Sequence, residues 1–216
     1  METCARQVGR PTGLVFLAVA VALALTVPTS VATDGAVAVL PRLTGPPVEL
    51  QDGDIVFRRG LDAIGRMVLS YGDRPRFSHV GMVVRVAGET LVVHALPETP
   101  GDQGGVRVDR LGTFSSPQRA ADVGYYRLGQ LTLAQRREIH HYLFNRVGTP
   151  FDLRFEYSTD DSMYCTELVL KALAQVGVEV AASLDTVRVI TVDEPAFAPD
   201  ALRQSEQLQE LVSTTQ

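Results

Sequence analysis

Cys165 is the residue of this chain best placed to act as a nucleophile. It opens a segment in which Leu168, Val169, Ala172, Leu173 and Val176 recur at helical spacing. Cys165 lies three and four residues before the start of that stripe, so its thiol faces whatever the helix packs on rather than bulk water. With Asp161 or Ser162 as the cap, Cys165 falls in the first helical turn. There the macrodipole and the free N–H groups favour an anion, which lowers a thiol pKa, and the Cys165 N–H becomes a donor for a developing oxyanion.

A thiol nucleophile needs a base, and the chain holds four histidines. His140 and His141 are neighbours on one helix, cannot share a face, and read as surface or structural residues. His79 and His94 lie on the two arms of a hairpin, residues 78–86 and 90–95, around Ala87-Gly88. Strand alternation places His79, Gly81 and Val83 on one face. A two-residue turn sets His94 opposite Gly81 and diagonal to His79, a four-residue loop sets the histidines directly opposite, and an odd loop separates them. In either even register one imidazole can orient the other. Spacing alone also admits the bland reading, a non-catalytic binding module with a buried structural Cys165 and two satisfied sheet histidines. A zinc site from His79, His94 and Cys165 matches no usual ligand spacing, so no metal and no cofactor is expected.

The elements that must position these residues follow from local patterning. Residues 54–58 read as a short strand after a turn at 51–53. Leu61, Ile64, Val68 and Tyr71 predict a helix over 60–71, ended near Gly72. The stretch 96–122 is loop-rich with a short strand at 106–108, and 123–128 is a further strand. Thr132 and Gln135 form a capping box for a helix over 133–147, closed by Gly148 and Pro150. The Cys165 helix covers about 162–176 with Gly177 at its end. A strand at 187–192 and a fraying helix from Pro199 complete the chain. This order argues for an α+β fold, with helices packed against a mostly antiparallel sheet.

Composition agrees with one globular domain. At 216 residues, 45% hydrophobic and 21% charged, the chain is neither disordered, collagenous nor a coiled coil. Its net charge of −5 and lack of a basic block give no footprint for nucleic acid. Arg6 and Arg10 precede an apolar run over 13–27, shorter than the roughly 20 residues of a spanning helix, and Ser30-Val31-Ala32 offers small residues for cleavage. Residues 1–32 therefore read as a signal peptide, 33–50 as a linker, 51–198 as the domain and 199–216 as a tail. Cleavage removes Cys4 and leaves Cys165 the one thiol of a periplasmic or secreted protein. An uncleaved leader would instead hold the protein at the membrane. Cys4 precedes the apolar run, the wrong side for a lipidated cysteine.

The strings GDIVFR (53–58), FSHVGMVV (77–84), VVHA (92–95), PFDLRF (150–155) and YCTELV (164–169) occur in that order. Together they resemble the YiiX/YaeF-type permuted papain-like amidases, relatives of the NlpC-type cell-wall peptidases and of the lecithin–retinol acyltransferase group. The resemblance implies a circularly permuted papain-like (NlpC-like) fold, with histidine before cysteine in the chain. It implies Cys165 as nucleophile, His79 as general base and His94 as the third polar residue, where many relatives carry Glu. Neutral imidazole at that position offers no fixed negative charge to a protonated His79. Tyr164, beside the thiol, is a candidate substrate contact, and Glu167 pairs with Lys171 along the helix. The implied activity is a cysteine hydrolase cleaving an amide bond through an acyl-enzyme, with peptide or acyl-amide substrates such as peptidoglycan. The two histidines also fit an acyltransferase or lipid thioesterase using the same site.

Overall fold

The computed structural model describes residues 46, 48–71, 74–188 and 194–211. The proposed leader and nearly all of the linker lie outside them. Six strands form one sheet, β1 (Ile55–Gly60), β2 (His79–Val86), β3 (Glu89–Leu96), β4 (Gly105–Arg110), β5 (Ala120–Leu128) and β6 (Leu208–Glu210). Their order across the sheet is β4-β3-β2-β1-β5-β6, and every neighbouring pair is antiparallel. The helices are α1 (Ala63–Val68), α2 (Leu111–Phe114), α3 (Leu133–Asn145), α4 (Cys165–Ala174) and α5 (Pro199–Arg203). The α+β architecture expected from the sequence is the one observed.

Period-two alternation divides the sheet's side chains between two faces. Ile55, Phe57, Val80, Met82, Val84, Val93 and Ala95 face α3 and α4, where they meet Ile139, Leu143, Leu168, Val169 and Leu173 in the main core. The other face carries Val56, Val83, Val92 and Tyr125, covered by Leu50 and by Phe114 of α2. The polar residues of β1 to β4 that matter below, Arg58, His79, His94, Arg107 and Asp109, alternate onto this second face. The nucleophile candidate belongs to the helical layer on the first.

Several elements differ from their sequence-based limits. The helix expected over 60–71 is confined to α1, because β1 continues through Gly60 and Asp62 then caps the helix at the Gly65 N–H (2.6 Å). The Cys165 helix begins at Cys165 itself, not near 162. Tyr164 is its N-cap residue, and the Glu167 carboxylate accepts the Tyr164 N–H at 3.1 Å. The segment 150–163 forms an irregular loop of bends and turns, closed by the isolated bridge Phe151↔Met163. Loop-rich 96–122 yields two regular elements, β4 and α2. The strand expected at 187–192 lies partly outside the described residues, and Val187 makes an isolated bridge to Ala196. The tail does not remain helical: after α5 it adds β6 to the edge of β5. Among the described residues no helix is long and apolar enough to cross a membrane.

Candidate active site

The hairpin turn decides the histidine geometry. Val86 pairs with Glu89, so the loop is the two-residue Ala87-Gly88, with Ala87 and Gly88 both at positive φ (49° and 85°) as such a turn requires. The β2–β3 ladder runs from that pair to Met82↔Val93 and stops there. Beyond it β2 continues to His79 against β1, and β3 continues to Leu96 against β4. Continuing the register sets His94 across from Gly81 and diagonal to His79, the first of the registers the spacing allowed. His79 Nε2 lies 2.9 Å from His94 Nδ1.

Gly81 makes that contact sterically feasible. A Cβ there would sit 2.5 Å from Val92 Cγ1 and 3.0 Å from the His94 Cβ. Gly81→Ala should therefore push His94 off His79 and cost about 1–3 kcal/mol of stability through overpacking. Urea unfolding together with the rate of Cys165 alkylation checks this. A variant with wild-type values for both would show that the close approach is unimportant.

His94 has a second partner that the sequence reading did not single out. Its Nε2 lies 3.2 Å from Asp109 Oδ2, and Asp109 in turn faces Arg107 Nη2 at 3.2 Å and Arg119 Nη1 at 3.6 Å. The His94 hydrogen bond, helped by these two guanidinium groups, holds the Asp109 carboxyl down at about 2. The signal was present in the strand pattern. Val106 and Val108 turn to the core, which places Arg107 and Asp109 on the face of His94, with Arg107 directly opposite it.

The chain of hydrogen bonds specifies a tautomer. A carboxylate can only accept, so His94 Nε2 donates to Asp109. Burial pushes His94 down to about 4, against the raising effect of Asp109, so the ring is neutral and its Nδ1 carries a lone pair. His79 Nε2 must then donate to His94. Burial, and after it the charge of Arg58 and the neighbouring His94, hold His79 well below its ordinary value. Its Nδ1 is thus the free, unprotonated nitrogen of the relay.

Cys165 approaches from the other layer. The Val83 N–H donates to the Asp54 carbonyl on the β1 side, at 2.7 Å. Alternation therefore turns the Val80 N–H the other way, toward the gap where β2 and β3 part. From there that N–H acts on the Cys165 thiol and favours its anion, one residue along the strand from His79. Cys165 keeps 9% of its surface exposed and His79 keeps 7%, so both lie inside the fold without being sealed. The expected depression of the thiol pKa is not the net result. Burial pushes it up, and the N–H of Val80, the Thr166 hydroxyl and the N–H groups of Thr166 and Cys165 only partly offset this. Both groups are therefore neutral at rest, a thiol on Cys165 and an imidazole on His79.

The remaining candidates fall into structural places. Tyr164 is 2% exposed, its ring packs on Phe155, and its hydroxyl accepts the Phe197 N–H at 3.2 Å. The phenol thus faces protein, as a helix-start packing residue does. Glu167 is buried, with Lys171 Nζ 2.8 Å from its second oxygen, and burial raises its pKa to about 7. His140 approaches Asp52 (3.7 Å) and His141 meets Asn145, both far from the relay in partners. Among the described residues no group of three or more His, Cys, Asp or Glu could hold a metal ion.

A single sheet with its cysteine at the start of a packed helix, and a histidine relay on the strands beside it, is the layout of a papain-like cysteine hydrolase. The chain belongs to the family described as permuted papain-like amidase enzyme, YaeF/YiiX, C92 family, which it matches over residues 49–212. It is accordingly a papain-like cysteine peptidase or amidase with a permuted fold. A similar solved structure is that described as metalloprotein YiiX from Escherichia coli O157:H7. It is 21% identical with a TM-score of 0.62, over 76% of this chain and 98% of that one. The metal of that description has no matching donor cluster among the described residues here. No curated protein matches the chain.

Proposed function

We propose that this protein is an exported cysteine amidase in which Cys165 attacks the carbonyl, His79 moves the proton, and His94 and Asp109 hold His79 in the active tautomer. The observation that carries the reading is the unbroken relay Asp109–His94–His79, which leaves His79 Nδ1 free to take a proton, on the strand residue next to Val80, whose N–H acts on the Cys165 thiol.

The chemistry follows from that arrangement. As Cys165 Sγ bonds to the amide carbon, its proton passes to His79 Nδ1. The positive charge this creates is delocalised toward His94 and is met two hydrogen bonds away by the Asp109 carboxylate. Asp109 supplies the fixed negative charge that His94 lacks. The carbonyl oxygen becomes an oxyanion within reach of the Cys165 N–H at the start of α4. Collapse breaks the C–N bond, and His79 returns its proton to the leaving amine. Water, deprotonated by the same Nδ1, then cleaves the thioester and restores the thiol.

Export rests on the basic, apolar and small-residue pattern of residues 1–32, and for an exported amidase peptide bonds of the cell wall are the substrate class. The test is capture of the acyl-enzyme. The protein is mixed with muropeptides or with phosphatidylcholine vesicles, quenched in acid and read by intact mass and peptide mapping. A peptidyl adduct on Cys165 supports the proposal. A fatty-acyl adduct would replace it with the acyltransferase or thioesterase reading, and absence of any adduct on Cys165 would return the protein to a non-catalytic module.

A further inference from the structure

Arg58 is a buried cation without a carboxylate. It is 2% exposed, its Nη1 donates to the Phe114 carbonyl at 3.1 Å, and its guanidinium lies over the Phe114 ring at 4.7 Å. Nε is buried with no partner, and among the described residues no carboxylate lies within ion-pairing distance of the group. Such a group opposes folding, because removing a guanidinium from water is costly and here the charges of Asp62 and Asp109 offset it only from beyond ion-pairing distance. Burial lowers its pKa to about 10, still far above neutrality, so the charge persists.

Its position explains what could offset the cost. Arg58 is the direct cross-strand partner of His79, and its charge is felt by His79, His94 and Cys165. It forms part of the wall of a cleft of about 430 Å³, with Leu61, Asp62, Leu96, Pro97 and Arg119. The acidic residues of that cleft hold other hydrogen-bond partners, although the Asp62 charge also bears on Arg58. Asp62 caps α1, and Asp102 binds Arg107 and the Gly104 N–H (3.0 Å). A larger cavity of about 730 Å³ lies apart, around Leu184, Asp200 and Gln204, without Arg58 in its wall; the Arg58 cleft connects to the relay through Arg58 itself, the cross-strand partner of His79.

We infer that this cleft is the subsite for a carboxylate of the substrate, bound by Arg58 next to the scissile amide, so that the enzyme selects anionic peptides. The inference rests on Cys165 being the nucleophile, as proposed above, and deepens it. Recognition and catalysis become linked. Arg58 adds to burial in suppressing the basicity of His79 while the cleft is empty, and a bound carboxylate neutralises that cation and makes His79 a better acceptor for the thiol proton. A neutral substrate would fill the cleft without relieving His79.

The test compares two alkylating agents of nearly equal size, anionic iodoacetate and neutral iodoacetamide, on the full chain. Rates at Cys165 are expressed relative to glutathione. Wild type should favour iodoacetate by about tenfold, and Arg58→Gln, which keeps a donor for the Phe114 carbonyl, should lose that preference. Arg58→Gln should also unfold at the same temperature as wild type or higher, since an unpaired buried charge is removed. A second measurement needs no variant. N-acetylglycine should lower the iodoacetate-to-iodoacetamide rate ratio of wild type by competing for Arg58, and N-acetylglycinamide at the same concentration should not. Equal reagent ratios in wild type and variant, or an equal effect of acid and amide on that ratio, overturn the carboxylate subsite alone. Failure of both reagents to label Cys165 in the folded protein overturns the nucleophile assignment, and the subsite with it.

Discussion

Cys165→Ser should lower amide hydrolysis at least about a thousandfold with the protein still folded, because it exchanges only sulfur for oxygen, while burying the hydroxyl in the core lowers the unfolding temperature slightly. His79→Ala should lower the rate by about 10²–10⁴, since the thiol loses its proton acceptor. The pH profile separates this site from one that rests as a thiolate–imidazolium pair. Such a pair would label with iodoacetamide at a high, flat rate from mildly acid pH upward. Here burial raises the thiol and lowers His79, so labelling of the substrate-free protein should instead climb with pH through the range above the ordinary thiol value. A flat profile reaching below neutrality would show that the ion pair forms at rest. Labelling that is slow and identical in wild type and His79→Ala would mark Cys165 as a buried structural residue.

Asp109→Asn should lower kcat about a hundredfold with KM little changed. Asp109 touches no substrate; it acts through His94, so its loss affects the step in which His79 becomes positive rather than binding. Two consequences follow from losing the charge. The amide can present its NH₂ to His94 Nε2, which reverses the donor order along the relay and protonates His79 at Nδ1, the wrong nitrogen. Even with the tautomer kept, no negative charge remains to meet the imidazolium. Nitrogen NMR of labelled His79 reads the tautomer directly, and Asp109→Glu should restore part of both signals. If Asp109→Asn changes KM alone, or leaves the His79 tautomer as in wild type with full kcat, the relay ends at His94.

The local elements were readable wherever one periodicity dominated. The Thr132–Gln135 capping box does open α3, and the Ala87-Gly88 hairpin is present, because each depends on residues within a few positions of one another. Misplaced limits came from long-range competition. Residues 162–164 have helix-compatible side chains, yet the Phe151↔Met163 bridge keeps them out of the helix and moves its start to Cys165. The tail has helical composition, yet the free edge of β5 takes it as β6. Asp109 was missed because the strand expected at 106–108 stops one residue short of it. Once 105–110 is known to be a strand, alternation alone assigns Asp109 to the histidine face.

What the sequence by itself determined is the parts list and the local shapes: the thiol on an apolar helix stripe, two histidines on hairpin arms, the α+β order, and motif strings that resemble a permuted papain-like amidase. Those follow from short-range sterics and periodicity, which act between near neighbours in the chain. The tertiary structure alone decided how the parts meet. It chose the two-residue register that joins His79 to His94, completed the relay with Asp109, brought the Val80 N–H to bear on the thiol where β2 and β3 separate, and buried Arg58 without a counter-ion. Burial also reversed the expected direction of the thiol pKa, because desolvation depends on every element packed around a group and not on the helix that carries it.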